Sequence, residues 1–257
     1  MVLIYNLPEG YNSRAMMAVP DESGEDHKFL VATYALDKEN EMHLVKYSED
    51  NNRVDLVQVY PFAGGEIYSL GASEERVMVG HEKGVTVLNR KYEVVGEMKS
   101  EEPILAIEGE LTSNFYNVQV WDLATQQAKE IIPTAGGCKS VKKDPHNANI
   151  IAYANGREFG VYDLRSKKER KSAEMPMNVL DVDFNPIKVN TIASAGQDST
   201  IRFWDLRKLE SGLCLHSYNP TDTMVCFESD SKDFAETKFG DTRTSMSSIH
   251  SSIVQKY

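Results

Sequence analysis

Residues 179–205 read VLDVDFNPIKVNTIASAGQDSTIRFWD and contain three strand-like segments separated by turn signals. Val179–Phe184 alternates apolar and polar side chains, as a half-buried strand does, and Asn185-Pro186 then turns the chain. Thr191–Ser194 predicts a second strand, and Ile201–Trp204 predicts a third that ends before an aspartate. A strand ending in Trp-Asp is typical of a WD repeat.

The same pattern recurs along the chain. Its last strand-like position falls at Val45, Leu88, Trp121, Tyr162 and Trp204, in steps of 43, 33, 41 and 42 residues. A period of roughly 40 to 45 residues is the signature of four-stranded propeller blades. The copy at Trp121 is about nine residues short of that period. We therefore expect either a three-stranded blade there or the loss of a segment.

The repeat predicts an all-β WD-repeat β-propeller in residues 1–218, with five clear blades. Residues 219–257 are rich in Ser, Thr and Asp, so we expect a degenerate sixth blade or a disordered tail there, in an incomplete or truncated propeller. The five blades are expected at about 29–60, 65–98, 101–132, 136–173 and 177–218.

Eight residues occupy the expected structural positions of the WD pattern. The aromatic ones are expected to fill the wedge between blades. The usual histidine that links a turn aspartate and a strand hydroxyl to the tryptophan is replaced by Met177 or Asn178, so that polar network is expected to be incomplete. The eight positions are Trp121, Asp122, Tyr162, Asp163, Ser194, Asp198, Trp204 and Asp205.

No motif for chemistry is recognisable. The sequence contains no phosphate-binding glycine loop, nucleophile elbow or paired histidines at metal-ligand spacing, so we expect no enzyme, cofactor, metal or small-molecule substrate. Asp181 and Asp183 share a strand face, but turn aspartates more commonly bond neighbouring backbone groups. The net charge of −11 argues against nucleic acid.

The chain also lacks the signals of secretion and membrane insertion. Its start does not read as a secretory signal, and no run reaches the roughly 18 apolar residues that a membrane helix needs. Cys138, Cys214 and Cys226 show no Cys-x-x-Cys spacing, so neither a disulfide framework nor a zinc site is indicated. We expect a cytoplasmic protein.

One basic cluster stands out, at Arg165–Lys171. Such a cluster is able to bind an acidic partner or lipid headgroups. A solvated outer strand and loop is the commoner explanation for a charge run of this kind.

Beyond the repeat, an order of short motifs in the N-terminal half is distinctive, and it resumes around the last repeat. The stretches are Ile4–Leu7, Lys28–Thr33, Asn40–His43, Asp50–Asn52, Gly65–Ser73, Asp181–Pro186 and Ile192–Gly196, the last continuing through to Arg207. In these stretches the chain resembles the WD-repeat family that interacts with the endosome-associated recycling and Golgi-associated retrograde protein complexes, EARP and GARP.

The resemblance implies a seven-bladed fold, whereas this chain supplies five clear repeats. It implies a non-catalytic, cytoplasmic scaffold that associates peripherally with endosomes and the trans-Golgi network. Its implied partners are tethering-complex subunits, and its implied role is to support endosomal recycling and retrograde transport. Propellers generally bind through loops at their faces, where rigid strands hold the side chains.

The alternative is a substrate receptor of a cullin-RING ubiquitin ligase. Ile192–Arg207 resembles the Trp-Asp box of those receptors, with Arg207 at its final basic position, and Tyr162–Arg165 is a weaker copy. This reading assigns partner docking to Arg207 and Arg165. An arginine after the third strand of a blade is also common in propellers without that role.

Overall fold

A computed structural model of the chain describes residues 5–19, 27–35, 37–48, 53–73 and 75–219. The predicted sixth blade or tail lies outside the described residues from residue 220 onward, as do Ile4 and residues 50–52 of the resemblance and Cys226. The chain divides into two compact units. Among the described residues, the first unit comprises those up to 110 together with 123–127, and the second comprises 111–122 and 128–219.

The first unit contains two complete four-stranded antiparallel sheets, each with its strands in chain order. The first sheet also includes β1, which lies before the predicted range of 29–60. The sequence did not predict β1, because a register shift between Ser13 and Ala15 interrupts the alternation that reveals a strand. The strands of this unit are β1 Asn12–Val19, β2 His27–Tyr34, β3 Asn40–Ser48, β4 Arg53–Phe62, β5 Ile67–Ala72, β6 Arg76–His81, β7 Gly84–Asn89, β8 Val94–Lys99 and β9 Ala106–Glu108.

The second unit continues the same plan. Its last two sheets also keep their strands in chain order, and one short 3-10 helix, η1, precedes the final strand. The elements are β10 Leu111–Ser113, β11 Asn117–Asp122, β12 Gln127–Pro133, β13 Val141–Lys143, β14 Ile150–Asn155, β15 Glu158–Asp163, β16 Lys168–Lys171, β17 Val179–Phe184, β18 Thr191–Gly196, β19 Ile201–Asp205, η1 Leu206–Ser211 and β20 His216–Tyr218.

The short copy that ends at Trp121 nevertheless has four strands, in the order β12-β11-β10-β9. The expectation of a three-stranded blade is therefore wrong. This copy of the repeat is shorter because β9 and β10 have only three residues each and only two residues, Gly109 and Glu110, connect them. Three-residue strands carry too little alternation to be recognised in the sequence.

Each unit has its own apolar core. In the first, Leu30 and Val79 are fully buried within a cluster built from β1–β7. In the second, Phe159 and Trp204 meet edge to face, with ring centroids 5.6 Å apart. Both rings are buried, so the tryptophan of the last repeat packs against an aromatic residue of the preceding sheet.

Five successive four-stranded antiparallel sheets, with little helix among the described residues, confirm the all-β class expected from the repeat. Loops between strands are where a scaffold of this kind generally contacts other molecules.

Candidate interaction surface

The two tryptophans are fixed by hydroxyl groups of the neighbouring strand. Trp204 Nε1 donates a hydrogen bond to Ser194 Oγ at 2.9 Å, and Trp121 Nε1 donates to Thr112 Oγ1 at 2.8 Å. In both sheets the hydroxyl residue lies opposite the residue two positions before the tryptophan. Thr112 was not identified from the sequence. Its position opposite the residue two places before the tryptophan, which it shares with Ser194, is the signal that would have identified it.

Asp198 does not join the bond between Trp204 and Ser194. Its carboxylate pairs with Arg202 at 2.6 Å and accepts from the backbone N–H of Thr200 at 3.2 Å. Burial raises the pKa of this carboxyl, but the Arg202 and Thr200 contacts outweigh it, and the net result is a lowered pKa. Asp198 therefore stabilises its own hairpin.

The aspartates that follow the aromatic positions stabilise turns. Asp163 accepts from the backbone N–H groups of Arg165 and Ser166, at 2.9 and 3.2 Å. Asp205 is the N-cap of η1 and accepts from the backbone N–H of Arg207 at 3.0 Å. Asp122 lies 3.4 Å from the Nζ of Lys129. These carboxylates are engaged within the fold.

Tyr162 also has a polar partner, because its hydroxyl donates to Glu130 Oε1 at 2.7 Å. Burial, followed by this hydrogen bond, raises the pKa of Tyr162 to about 12. The side chain is half-buried, so Tyr162 anchors one sheet to the outer strand β12 of the preceding one.

The two arginines that the ubiquitin-ligase alternative assigns to partner docking differ in how available their guanidinium groups are. Arg207 in η1 is exposed, but its guanidinium forms two hydrogen bonds to the Asp205 carboxylate, at 2.8 and 2.6 Å. Arg165 is exposed in the turn between β15 and β16. Docking through Arg207 would require its bidentate pair with Asp205 to open or to be shared.

No contact surface was predicted from the sequence. The structure shows a candidate surface at the loop between β10 and β11. Phe115 and Tyr116 are adjacent there, and 43% and 63% of their surfaces are exposed. The chain between β12 and β13 runs alongside. We call Asn114–Tyr116 together with Thr134–Cys138 the aromatic loop surface.

Backbone hydrogen bonds hold this surface in one conformation. The carbonyl oxygens of Tyr116, Phe115 and Asn114 accept in turn from the N–H groups of Thr134, Gly137 and Cys138, at 2.8, 2.9 and 3.2 Å. The buried Asn114 side chain accepts from the N–H groups of Tyr116 and Asn117, both at 2.9 Å. The two aromatic side chains are therefore presented on a fixed backbone.

Glycine keeps the space beside these rings open. A Cβ atom added at Gly136 would meet no atom within 4 Å, and one added at Gly137 would lie 3.7 Å from the ring of Phe115. Aromatic side chains on a rigid loop lose little conformational entropy on binding and are enriched at the centres of protein interfaces. The sequence gives no signal for this surface, because β10, which precedes the loop, is too short to be recognised.

Most of the other exposed large apolar residues are aliphatic, and Tyr218, which is 50% exposed at the end of β20, is a single aromatic residue without an aromatic neighbour in the chain. Leu56 and Val57 lie on β4, and Val94 and Val95 lie on β8, with exposures of 48, 51, 63 and 48%. These side chains are aliphatic, and aliphatic residues are less often interface hot spots than Tyr. The aromatic loop surface is therefore the best-supported candidate contact site.

The described residues contain neither a metal-ion site nor a membrane-spanning helix. No group of three or more His, Cys, Asp or Glu side chains is placed to hold a metal ion. No described helix has the length and apolar character required to cross a bilayer. Burial raises the pKa of the Cys138 thiol to about 12, which makes it a poor nucleophile.

Comparisons with known proteins agree with this geometry. A chain in the crystal structure of the mitotic checkpoint complex superposes with a TM-score of 0.72 at 12% identity, covering 91% of this chain and 73% of that one. The ribosome biogenesis protein WDR12 homolog of Dictyostelium discoideum is 25% identical over 149 residues, which is 55% of this chain and 29% of the relative. The chain has the WD-repeat β-propeller fold.

The resemblance seen in the sequence is also confirmed. EARP and GARP complex-interacting protein 1 of Macaca fascicularis is 23% identical over 259 residues, covering 78% of this chain, and the human protein is 22% identical over the same span. This WD-repeat chain covers 65% of the length of those two relatives. No protein-family model matches it, and the names of these relatives do not refer to a ubiquitin ligase.

Proposed function

We propose that this chain is a non-catalytic scaffold that binds vesicle-tethering complexes at endosomes and the trans-Golgi network and supports recycling and retrograde transport. The observation that carries the proposal is the match to EARP and GARP complex-interacting proteins over 78% of the chain. The scaffold acts from the cytoplasm and associates with these membranes peripherally, through its protein partners.

The aromatic loop surface supplies the contact. Phe115 and Tyr116 offer exposed apolar area, and the hydrogen-bonded backbone beneath them is already in its final conformation. Binding through such a surface needs little ordering of the loop, so more of the contact energy appears as affinity. The hydroxyl of Tyr116 adds one group able to form a hydrogen bond at the edge of the contact.

Affinity capture tests the proposal. The tagged chain is expected to recover subunits of the EARP and GARP tethering complexes, and the double substitution Phe115→Ser with Tyr116→Ser is expected to reduce that recovery about tenfold or more, because hot-spot aromatic residues contribute at least roughly 2 kcal/mol.

The double substitution Val94→Ser with Val95→Ser is the matched control, because it also removes two adjacent exposed apolar side chains. It is expected to leave recovery unchanged. Recovery of a cullin-ligase adaptor in place of tethering subunits would contradict the proposal, and so would equal losses in the two double variants.

A further inference from the structure

The basic cluster of the sequence meets η1 in the second unit. β16 contains Lys168 and Arg170, and the Arg170 guanidinium donates from Nη1 to the carbonyl oxygen of Leu206 at 2.6 Å. Beside this contact lies an open depression of about 380 Å³, lined by Arg170, Lys208 and Glu210 among others. We call it the β16–η1 depression.

The charge in this depression is predominantly positive. Arg170, Arg207 and Lys208 line it together with a single carboxylate, that of Glu210. Arg207 is already neutralised by its bidentate pair with Asp205. Arg170 and Lys208 therefore supply the charge that is available to a ligand.

Arg170 is both positioned and available. One N–H is tethered to the Leu206 carbonyl, and an arginine side chain carries five N–H donors in a rigid fork. The carboxylate of the neighbouring acid, Glu169, accepts a hydrogen bond from the hydroxyl of the buried Tyr153. Within the part of the chain that the structure describes, no carboxylate pairs with Arg170.

Leu206 and Leu209 also line the depression, but both are almost fully buried and add little exposed apolar surface. A recess with a cationic rim fits a side chain that carries a carboxylate on a short stem. A membrane presents its headgroups as a broad surface and contacts protruding cations more readily than recessed ones.

We propose that the β16–η1 depression binds an acidic, extended segment of a partner protein, through carboxylates that pair with Arg170 and Lys208. The chain as a whole carries a net charge of −11, so long-range electrostatics repels such a segment and attraction is confined to this local cluster. This site is separate in its residues from the aromatic loop surface.

The test is the fluorescence anisotropy of a labelled six-residue glutamate peptide with the full chain, against a glutamine peptide of equal length. We expect binding of the glutamate peptide that weakens as salt is added. Arg170→Gln and Lys208→Gln are each expected to weaken it roughly tenfold, which is what the loss of one charge-assisted hydrogen bond produces. Lys208 is exposed, so its substitution leaves the fold intact.

Arg157→Gln is the control, because Arg157 has the same charge and also donates from its guanidinium to a backbone carbonyl, that of Met175, at 2.8 Å, but it already pairs with Glu174 at 3.0 Å. It is expected to bind the peptide as the unchanged chain does. Equal weakening by Arg157→Gln would show nonspecific charge attraction and overturn the proposal.

Two further probes identify the source of the anionic group. Arg170-dependent binding of phosphatidylserine vesicles, without binding of the glutamate peptide, would overturn the choice of an acidic protein segment. Displacement of the peptide by micromolar inorganic phosphate would overturn it too. The Phe115→Ser variant is expected to bind the peptide normally, so failure at this depression and failure at the aromatic loop surface are distinguishable.

Discussion

Each of the two buried tryptophans has one polar side-chain atom, Nε1, and a single hydroxyl group accepts its hydrogen bond. The indole of Trp204 is held by Ser194, and the indole of Trp121 by Thr112. Removal of the hydroxyl leaves a buried N–H without its acceptor, which costs more than an exposed hydrogen bond contributes. The WD positions of this chain therefore combine ring packing with one hydrogen bond, although the histidine of the regular network is replaced.

Ser194→Ala tests this at a single residue. It is expected to lower the free energy of unfolding by about 1–3 kcal/mol, because Trp204 Nε1 would be left buried and unpaired. Chemical denaturation followed by tryptophan fluorescence measures the change. The exposed Ser217 of β20 provides the control, and an equal effect of Ser217→Ala would show that the buried bond adds nothing.

Acid stability is set in part by aspartates with lowered pKa values. The Arg207 hydrogen bonds lower the pKa of Asp205 from the ordinary 3.8 to about 2. A carboxyl whose folded-state pKa is depressed stabilises the fold above its unfolded pKa, and this contribution is lost as the pH falls through the folded value. Asp163 and Asp198 are shifted in the same direction.

We therefore expect the thermal unfolding temperature to fall between pH 3.8 and about pH 2, the interval that the Asp205 shift spans. Asp205→Asn is expected to flatten the dependence in that interval. Scanning calorimetry at a series of pH values measures both. A variant that shows the same acid dependence as the unchanged chain would remove Asp205 from the explanation.

At the scale of single elements, the hairpin between β6 and β7 depends on a glycine. Gly84 has φ of 135°, and an added Cβ would lie 2.0 Å from the backbone oxygen of Met98 on β8. The hairpin therefore needs glycine both for its backbone angle and for the close approach of the neighbouring strand.

Gly84→Ala is expected to destabilise the protein by more than about 2 kcal/mol, since it adds backbone strain to a backbone clash. Gly136→Ala, at a position with open space around its Cβ, is expected to have little effect. Urea denaturation of the two variants compares them directly. Similar stabilities would mean that β7 and β8 separate at little cost.

The elements also show what the sequence was able to predict. The strands of residues 179–205 were located from alternation and turn signals, and they form β17–β19. β10 was missed because three residues give no measurable period. Phe115 and Tyr116 were missed because exposure is a property of the folded loop, which depends on residues about twenty positions downstream.

At the scale of the molecule, the two proposed contact sites differ in chemistry. The aromatic loop surface is apolar and carries the proposed contact with a tethering complex, whereas the β16–η1 depression is cationic and suits an acidic segment. If both sites bind the same partner, the first contact raises the effective concentration for the second.

The proposed function requires a tethering-complex subunit to contact the aromatic loop surface. A photo-reactive benzoylphenylalanine placed at residue 115, or at residue 94 as the control, tests it directly in cell extract. We expect irradiation to join a subunit of the EARP or GARP complex to the chain through residue 115 and not through residue 94. A cross-link to such a subunit from residue 94 alone would contradict this contact. Cross-links from neither position, while the chain still captures the complex, would contradict it as well.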